Sequence, residues 1–295
     1  MPHFGGILSP ENAMLTVVQF FYSILIGIVQ GISEWLPVSS KTQVLLASSY
    51  LLKLDYQQAY TFGLFMEIGT VLAAVIYFRA YLLDLLRVLL GSKDPLKRKL
   101  FVYVLVVTVI TGIVGAPLYL VADSVKGVSI GIPMLVIGLV LIGDAFFIRY
   151  SRRNRLGKPP RTFKEMRTRD YIIVGITQGI AALPGVSRSG ITVSSMLLLG
   201  IEADEAFKLS FLVGIFASLA AFFLTALVSG ANVSQALSII GAAGLGVAIV
   251  TATVVSLFLI DFLIKVASKS SIVYLTAGLG IIAIGSGLLY LLLGL

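Results

Sequence analysis

The residues able to do acid–base or phosphate chemistry are concentrated in two short polar segments of an otherwise apolar chain. The first runs from Glu34 to Lys41 and reads EWLPVSSK, and the second runs from Leu183 to Ser189 and reads LPGVSRS. A carboxylate can bind a metal ion or accept a proton, a hydroxyl group can act as a nucleophile, and Lys and Arg neutralise phosphate charge. This combination of side chains is typical of a site for a phosphorylated substrate.

Each polar segment follows a closely similar stretch of six residues, which indicates two diverged copies of one unit. Gly27–Ile32 reads GIVQGI, and 148 positions later Gly175–Ile180 reads GITQGI, in a chain of 295 residues. In both copies the two glycines lie four residues apart, a spacing that lets a helix approach its neighbour closely. We therefore predict a single membrane domain, with repeat 1 over about 14–149, a cytoplasmic loop over 150–170 and repeat 2 over about 171–294.

The composition is that of an integral membrane protein. Hydrophobic residues make up 58% of the chain, charged residues 12%, and the mean hydropathy is +1.02. Six apolar stretches are each long enough to cross a hydrocarbon layer of about 30 Å. They lie near 60–79, 99–121, 130–149, 205–229, 236–260 and 271–294. The chain has no cysteine, which excludes disulfides and thiolate chemistry.

The positive charge of the chain is distributed as in a membrane protein rather than a nucleic-acid-binding one. The formal net charge is +8, and the basic residues cluster in two loops, Arg79–Lys99 and Arg149–Arg169. Short loops rich in Lys and Arg stay in the cytoplasm. We therefore place both loops there and expect no nucleic-acid partner.

Two remaining stretches, 14–53 and 171–200, are interrupted near the middle by proline and serine, so each is predicted to form two half-helices. The basic loops make the second stretch a re-entrant hairpin that enters and leaves from the cytoplasm. Three predicted spans separate the two stretches, so the first hairpin enters from the opposite side. The predicted fold class is an all-α polytopic membrane protein, an inverted repeat of about six transmembrane helices and two re-entrant helical hairpins whose tips meet in one cavity.

The chain after each hairpin tip is predicted to begin a helix capped by serine, with Ser39 or Ser40 as the first cap and Ser187 or Ser189 as the second. A helix N-terminus is an anion site, because its free N–H groups carry partial positive charge. With Lys41 and Arg188 beside them, two such ends suit a polyanion such as diphosphate. Capping alone is the alternative role for the serines, but an arginine near mid-membrane is costly and indicates function.

Glu34 supplies the complementary negative charge in the first segment. It is predicted either to bind a divalent cation or to act as a base, and the alternative is an interfacial carboxylate beside Trp35, the only tryptophan. Gln30 lies one helical turn earlier and shares the same helix face. Glu67 is a further carboxylate, located inside a predicted span.

These motifs resemble the undecaprenyl-diphosphate phosphatase (BacA/UppP) family over nearly the whole chain. That family has a Glu/Gln-x-x-x-Glu motif leading to LPVSS, which here is Gln30 to Ser40, and a PGxSRSGxT motif, which here is Pro184 to Thr192. The resemblance implies the same fold of inverted repeats. It also implies removal of the terminal phosphate from a polyprenyl diphosphate at the membrane, with a divalent cation, Mg²⁺ or Ca²⁺.

The resemblance also implies roles for single residues. Glu34 binds the metal or activates the attacking group with support from Gln30, Ser40 is the nucleophile or a phosphate ligand, and Arg188 clamps the diphosphate. The remaining candidates for substrate binding are Ser39, Lys41, Ser187, Ser189 and Thr192. Whether Ser40 or a water molecule attacks is left open.

One departure from the family affects the expected mechanism. The family commonly reads SSTGH after the proline, whereas this chain reads SSKTQ, so Gln43 stands in place of the histidine. Glutamine does not exchange protons near neutral pH, so a mechanism centred on histidine is excluded. Either Glu34 serves as base, Glu67 substitutes, or the activity differs from that of the family, while Lys41 adds electrostatic stabilisation in compensation.

The sequence thus predicts a polyprenyl-diphosphate phosphatase that spans the cell membrane several times. Its expected partners are the polyprenyl diphosphate lipid, the membrane and a second copy of the chain in a homodimer. The alternative is a transporter or flippase for an anionic lipid such as polyprenyl phosphate, because inverted repeats with half-helix ends at mid-membrane are common among transporters. Release of phosphate by the purified protein distinguishes the two.

Overall fold

The structure is a computed structural model that describes residues 10–293 apart from 55, 125–130, 154–159, 184, 229 and 268–271. The described chain consists of helices and connections, without β-strands. The helices are α1 (Pro10–Ser33), α2 (Ser40–Leu52), α3 (Tyr56–Tyr77), α4 (Arg79–Leu89), α5 (Pro95–Ser124), α6 (Gly131–Arg153), α7 (Thr168–Ile180), α8 (Arg188–Leu198), α9 (Ala203–Val228), α10 (Gly230–Ala267) and α11 (Ile272–Leu293). This architecture confirms the predicted all-α polytopic fold class.

The apolar helices follow the predicted spans. Four segments among the described residues are long and apolar enough to cross a membrane: Pro95–Val121, Ala203–Leu224, Gly241–Ala267 and Val273–Leu293. The other two predicted spans correspond to α3 and α6, whose strongly apolar parts are shorter. Both helices have at least 22 residues, or about 33 Å at 1.5 Å per residue, which is enough to cross the hydrocarbon layer.

Both interrupted stretches form helix pairs. The first gives α1 and α2 with a turn over 34–39, and the second gives α7 and α8 with a turn over 181–187. Pro184, predicted to break the second stretch, lies outside the described residues. The interpretation of every arm as a half-helix is wrong for α1, which has 24 residues, whereas α7 has 13. Residues 11–36 contain no proline, so no helix-breaking residue limits the length of α1.

The first arm of each pair packs on a helix from the other half of the chain. An added Cβ atom on Gly27 or Gly31 would lie 2.6–2.8 Å from atoms of α10. The same atom on Gly175 or Gly179 would lie 2.6–2.7 Å from atoms of α5. The predicted close packing at these glycines is confirmed. Helix α1 of the first half packs on α10 of the second half, and α7 of the second half packs on α5 of the first, so the halves exchange their first hairpin arms.

A salt-bridged loop closes the base of the second helix pair. The Nη2 atom of Arg161 donates to Oδ2 of Asp170 at 2.5 Å, and its Nη1 atom donates to the carbonyl oxygen of Leu199 at 3.1 Å. The backbone of Arg161 also bonds to Gly200 and Glu202, at 2.8 Å each. Asp170 lies in the first turn of α7, and Leu199 follows the last residue of α8. Arg161 therefore holds the start of α7 and the end of α8 together.

Helices α6 and α11 form another closely packed pair, again through glycine. An added Cβ on Gly138 of α6 would lie 2.5 Å from Cγ1 of Ile284 and 2.8 Å from the carbonyl oxygen of Gly280. Gly143, on the same helix, has no atom within 4 Å of that position. The two glycines therefore differ in packing but share the same helix.

We expect Gly138→Ala to lower stability and Gly143→Ala to raise it. In an open helical position alanine is favoured over glycine by about 0.5–1 kcal/mol, whereas overpacking against backbone costs about 1–3 kcal/mol. Thermal unfolding of both purified variants in one detergent measures the difference. Equal unfolding temperatures would show that α6 and α11 do not pack through Gly138.

Candidate active site

The two hairpin tips lie against each other. The hydroxyl groups of Ser187 and Ser189 both donate to the carbonyl oxygen of Leu36, at 3.1 and 2.9 Å. Gly190 lies so close to Pro37 that an added Cβ would be 2.9 Å from the Cβ of the proline. The turn of one half therefore packs on the first helical turn of α8 in the other half, and the predicted side chains converge.

Arg188 and Glu34 form an ion pair between the two halves. The Nη2 atom of Arg188 donates to Oε1 of Glu34, and its Nη1 atom donates to Ser218 and to the carbonyl oxygen of Gly214, the latter at 2.9 Å. The Glu34 side chain is 5% exposed and that of Arg188 18%. Trp35 is buried against Phe211, so the interfacial alternative for Glu34 is wrong.

The second carboxylate oxygen of Glu34 accepts two further hydrogen bonds. Ser40 Oγ donates to Oε2 at 2.7 Å, and Gln30 Nε2 donates to the same oxygen at 2.9 Å. A hydroxyl group has a single proton, so the Ser40 proton points at a carboxylate. A nucleophile and a base in direct hydrogen-bond contact is the arrangement that activates a serine.

Glu67 provides a second carboxylate in the same cavity. Ser218 Oγ donates to its Oε2 at 2.6 Å, and Lys41 Nζ lies 3.6 Å from its Oε1. Because Ser218 also accepts from Arg188, the charges form one connected chain, Glu34, Arg188, Ser218, Glu67 and Lys41. Opposite charges alternate along this chain, so each buried carboxylate has a cationic partner.

One serine of each predicted pair occupies the N-cap position. Ser187 caps α8 with its side chain, accepting from the N–H of Gly190 at 3.2 Å. Ser39 is at the N-cap position of α2 without a side-chain cap bond, and it accepts from Thr42 at 2.9 Å. The other serine of each pair, Ser40 or Ser189, lies in the first turn of its helix.

Four of the predicted residues do not line the cavity, and Gln30 is one of them, reaching it only through Glu34. Thr192 is fully buried and donates to the carbonyl oxygen of Arg188 at 2.7 Å, with Ser210 of α9 as its other neighbour. Ser189 contacts the first tip, and Gln43 has a buried amide nitrogen without a hydrogen-bond partner among the described residues. Thr192 and Ser189 therefore pack against α9 and the first tip.

The cavity itself has a volume of about 160 Å³ and two chemically different ends. The polar end is lined by Glu34, Ser39, Ser40, Lys41, Glu67, Ser187, Arg188 and Ser218. The other end is lined by residues of α5 and α9, where the polar Thr108, Thr111 and Tyr119 lie among small residues, namely Gly112, Gly115, Ala116, Ala217, Ala220 and Ala221. Ser40 and Arg188 are the first residues of α2 and α8, so two helix N-termini face the polar end.

Further polar side chains that were not predicted from the sequence line the cavity, among them Gln178, Thr111 and Ser218. Gln178 Nε2 donates to Thr111 Oγ1 at 3.0 Å, while Thr111 donates to the carbonyl oxygen of Gly175 at 3.2 Å. Gln178 is the repeat counterpart of Gln30, so the six-residue repeat was a signal that pointed to it. Ser218 had no such signal, because an isolated serine in an apolar span is common in packed helices.

The donor set is compatible with a hard divalent cation bound together with its substrate. Among the described residues no three acidic, His or Cys side chains form a cluster, so a cage made of protein alone is not present there. Glu34 and Glu67 nevertheless line one cavity. Mg²⁺ is commonly held by one or two carboxylates plus substrate phosphates, and these two residues fit that mode.

The fold and site define a polytopic membrane protein with a charged internal cavity in which a serine is hydrogen-bonded to a carboxylate. Residues 23–284 match the sequence model of the family described as bacitracin resistance protein BacA, and the chain belongs to this family. It is 49% identical to an undecaprenyl-diphosphatase of Saccharolobus solfataricus, over 90% of this chain and 95% of the relative. Proteins of the same name from Sulfurisphaera tokodaii (45%; 92% and 98%) and Pyrobaculum aerophilum (42%; 90% and 96%) are also similar.

We expect the loss of one charge in the Glu34–Arg188 pair to be more harmful than the loss of both. Arg188→Met leaves a buried carboxylate without its partner, which costs about 3–5 kcal/mol. Adding Glu34→Gln removes the uncompensated charge and restores part of the lost stability. Thermal unfolding in detergent measures both variants.

The matched control is Arg87→Met, which removes one side of an exposed ion pair with Asp84. Exposed pairs contribute about 0–1 kcal/mol, so this variant should unfold close to the wild type. A double variant less stable than Arg188→Met alone would contradict the buried pair.

Proposed function

We propose that this protein is a membrane phosphatase that removes the terminal phosphate of a polyprenyl diphosphate and leaves the monophosphate lipid carrier. The hydrogen bond from Ser40 to Glu34, set beside Arg188 in a cavity within the helical bundle, is the observation that supports it most directly. The undecaprenyl-diphosphatase name of the relatives agrees with this substrate class.

In the proposed reaction Ser40 is the nucleophile. Its oxygen bonds to the terminal phosphorus while the bond from that phosphorus to the bridging oxygen breaks, and polyprenyl monophosphate leaves. The Ser40 proton passes to Glu34, which already accepts it as a hydrogen bond. Glu34 passes this proton to the departing monophosphate and is again a carboxylate. A water molecule then attacks the phosphoserine and gives a proton to Glu34, the bond from phosphorus to the Ser40 oxygen breaks, and Glu34 returns the proton to that oxygen as inorganic phosphate leaves.

The charge of the transferring phosphoryl group is balanced by Arg188, Lys41 and the two helix ends. Arg188 uses three of its five N–H groups in its contacts with Glu34, Ser218 and Gly214. Two N–H groups therefore remain for phosphate oxygens, without breaking the contacts that hold the side chain. Lys41 faces the same cavity from the first turn of α2.

A divalent cation, Mg²⁺ or Ca²⁺, is part of this proposal. Glu34 and Glu67 would hold it from the polar end of the cavity, as hard oxygen ligands. When bound, it neutralises diphosphate charge and polarises the phosphoryl oxygens. This chain lacks the histidine found in the family pattern. Glu67 is a better candidate than Gln43 to replace its function, because Glu67 lines the cavity and is paired with Lys41.

We also infer the surroundings of the protein. The exchange of arms between halves supports inverted repeats over about 14–149 and 171–294, joined by the cytoplasmic loop 150–170. The cell membrane is the location that fits a lipid carrier substrate. A homodimer stays a prediction.

The site supports a phosphatase better than a transporter that performs no chemistry. A carrier must bind and release its headgroup, but it has no use for a serine whose proton points at a carboxylate. Release of inorganic phosphate by the purified protein therefore tests the proposal directly.

Ser40→Ala is expected to lower the kcat for phosphate release by about 10³-fold or more, because the nucleophile is removed. Ser39→Ala is the matched control, since Ser39 lines the same cavity but makes no bond to Glu34. A substrate labelled in its terminal phosphate, quenched during turnover, should leave label on the wild-type protein and none on Ser40→Ala. Equal losses in the two variants would assign the attack to water.

Removal of divalent cations with a chelator is expected to abolish phosphate release, and Mg²⁺ or Ca²⁺ to restore it. Glu67→Gln keeps the size and the hydrogen-bonding capacity of the side chain but loses its charge. We expect this variant to need a higher metal concentration for half-maximal rate, measured by titration at saturating substrate. An unchanged titration curve would remove Glu67 from the metal site.

A further inference from the structure

Helix α4 is a short amphipathic helix between two helices of the membrane bundle. It has 11 residues, or about 16 Å at 1.5 Å per residue, and it carries Arg79, Asp84 and Arg87. It is therefore too short and too charged to cross the hydrocarbon layer. Because α3 ends at Tyr77 and α5 begins at Pro95, α4 lies where both neighbours reach the membrane surface.

The apolar residues of α4 divide into two faces. Leu85, together with Phe78 just before the helix, is buried against the core of the bundle. Leu83, Leu86 and Leu90 follow one another at intervals of three and four residues, so they share another side, and they are 50%, 53% and 87% exposed. A helix on an aqueous surface has polar residues away from its buried face, so the exposed leucines indicate a second apolar environment.

The exposed leucines lie at the edge of the bilayer. Lys97 Nζ, in the first turn of α5, lies 3.0 Å from Oδ1 of Asp84, so the middle of α4 is level with the start of a helix that crosses the membrane. Leu72 and Ile76, in the last two turns of α3, are also exposed. The leucines of α4 therefore continue the apolar outer surface of the bundle up to the level of the lipid headgroups.

The segment around this face is basic. Residues 79–99 contain six basic residues and two acidic ones, a net charge of +4. Asp84 already pairs with two of the cations, since its Oδ1 atom lies 2.7 Å from Arg87 and 3.0 Å from Lys97. Asp94 accepts from two N–H groups in the first turn of α5. Both acidic residues are thus occupied, and the excess positive charge attracts anions from outside the chain.

Two of the cations lie beside the exposed leucines. Lys93 follows Leu90 by three residues, and Arg98 Nε donates to the carbonyl oxygen of Ser92 at 3.0 Å. Lys93 and Arg98 are both exposed, and neither forms an ion pair within the part of the chain that the structure describes. The ammonium group of Lys93 and the terminal nitrogens of Arg98 are therefore able to donate to phosphate oxygens.

We propose that this region, which we call the α4 surface, binds anionic phospholipids. It consists of Leu83, Leu86 and Leu90, which insert among the acyl chains, and of Lys93 and Arg98, which bind the phosphate groups. Apolar residues on one side of a helix with basic residues beside them are the combination by which amphipathic helices hold to anionic membrane surfaces. The inference is independent of the proposed phosphatase function, because none of these residues lines the cavity.

The absence of cysteine allows a single nitroxide spin label to test the depth of α4. Leu86→Cys places the label on the exposed leucines, and Ala80→Cys, also at an exposed position, places it on the side that carries Asp84. The protein is reconstituted into liposomes of phosphatidylcholine and phosphatidylglycerol. The label at 86 is expected to collide more with oxygen, which concentrates in the bilayer, and the label at 80 more with a water-soluble nickel chelate.

Two results of this measurement would overturn the proposal. Greater collision with nickel than with oxygen at both positions would place the leucines in water. A label at 86 that is shielded from both reagents and shows dipolar broadening would mean that a second copy of the chain covers them instead of lipid.

Native mass spectrometry tests the selection of the headgroup. The purified protein is mixed in detergent with equal amounts of phosphatidylglycerol and phosphatidylcholine that have identical acyl chains, and the wild type is expected to retain more phosphatidylglycerol. The double variant Lys93→Gln/Arg98→Gln should lower this preference by at least about fivefold, because each basic residue at an anionic surface contributes about that factor. Lys53→Gln/Arg169→Gln is the matched control, since it removes two exposed charges elsewhere and should leave the preference unchanged.

An equal preference in the wild type and in Lys93→Gln/Arg98→Gln would overturn the assignment of the phosphate contacts to these two cations. Inorganic phosphate at the concentration of the lipid should not displace phosphatidylglycerol, because it brings no acyl chains to the leucines. Displacement by inorganic phosphate would show a site for a free anion and overturn the lipid surface.

Discussion

The contact between Arg188 and Glu34 is the interaction on which the site depends. Each charge is costly within an apolar bundle, and each comes from a different half of the chain. Their pairing requires the two hairpin tips to touch, and it holds Glu34 with one oxygen toward the arginine and the other toward Ser40. The pair is therefore both a condition for the fold and the source of the reactive geometry.

Small residues make this convergence possible. Gly27 and Gly175 bring the first arm of each hairpin against a helix of the opposite half, at distances that allow no side chain. Such contacts replace the hydrophobic driving force that is weak between helices in lipid. Each tip is thus placed by a helix that belongs to the other repeat, so neither half forms its share of the site alone.

The symmetry of the helix order does not extend to the chemistry. The first half supplies Glu34, Ser40, Lys41 and Glu67 to the cavity, while the second supplies Arg188 and Ser218. Gly69 of α3 packs directly on α10, whereas Ala217, its counterpart in the second repeat, lines the cavity. The two halves therefore contribute different side chains to one site.

Much of the fold and part of the site could be predicted from the sequence. The six-residue repeat and the prolines after it marked both hairpins, and Glu34, Ser40 and Arg188 stood out as polar groups where few are tolerated. Thr192 was predicted at the substrate and instead packs against α9, because the local motif does not show which helix face turns inward. Helix α1 was predicted as a half-helix but has 24 residues, because the break after its C-terminal end does not determine where the helix begins.

What the sequence determined by itself was local and periodic: apolar length, charge bias in the loops, glycine spacing and the positions of the breaks. These follow from the energetics of transferring each segment into lipid, which depend on neighbours along the chain. The tertiary structure decided which oxygen meets which donor and how Glu67 is linked to Arg188 through Ser218. Glu34 and Arg188 are 154 residues apart, and Glu67 and Ser218 are 151 apart, so only the packing of whole helices brings them together.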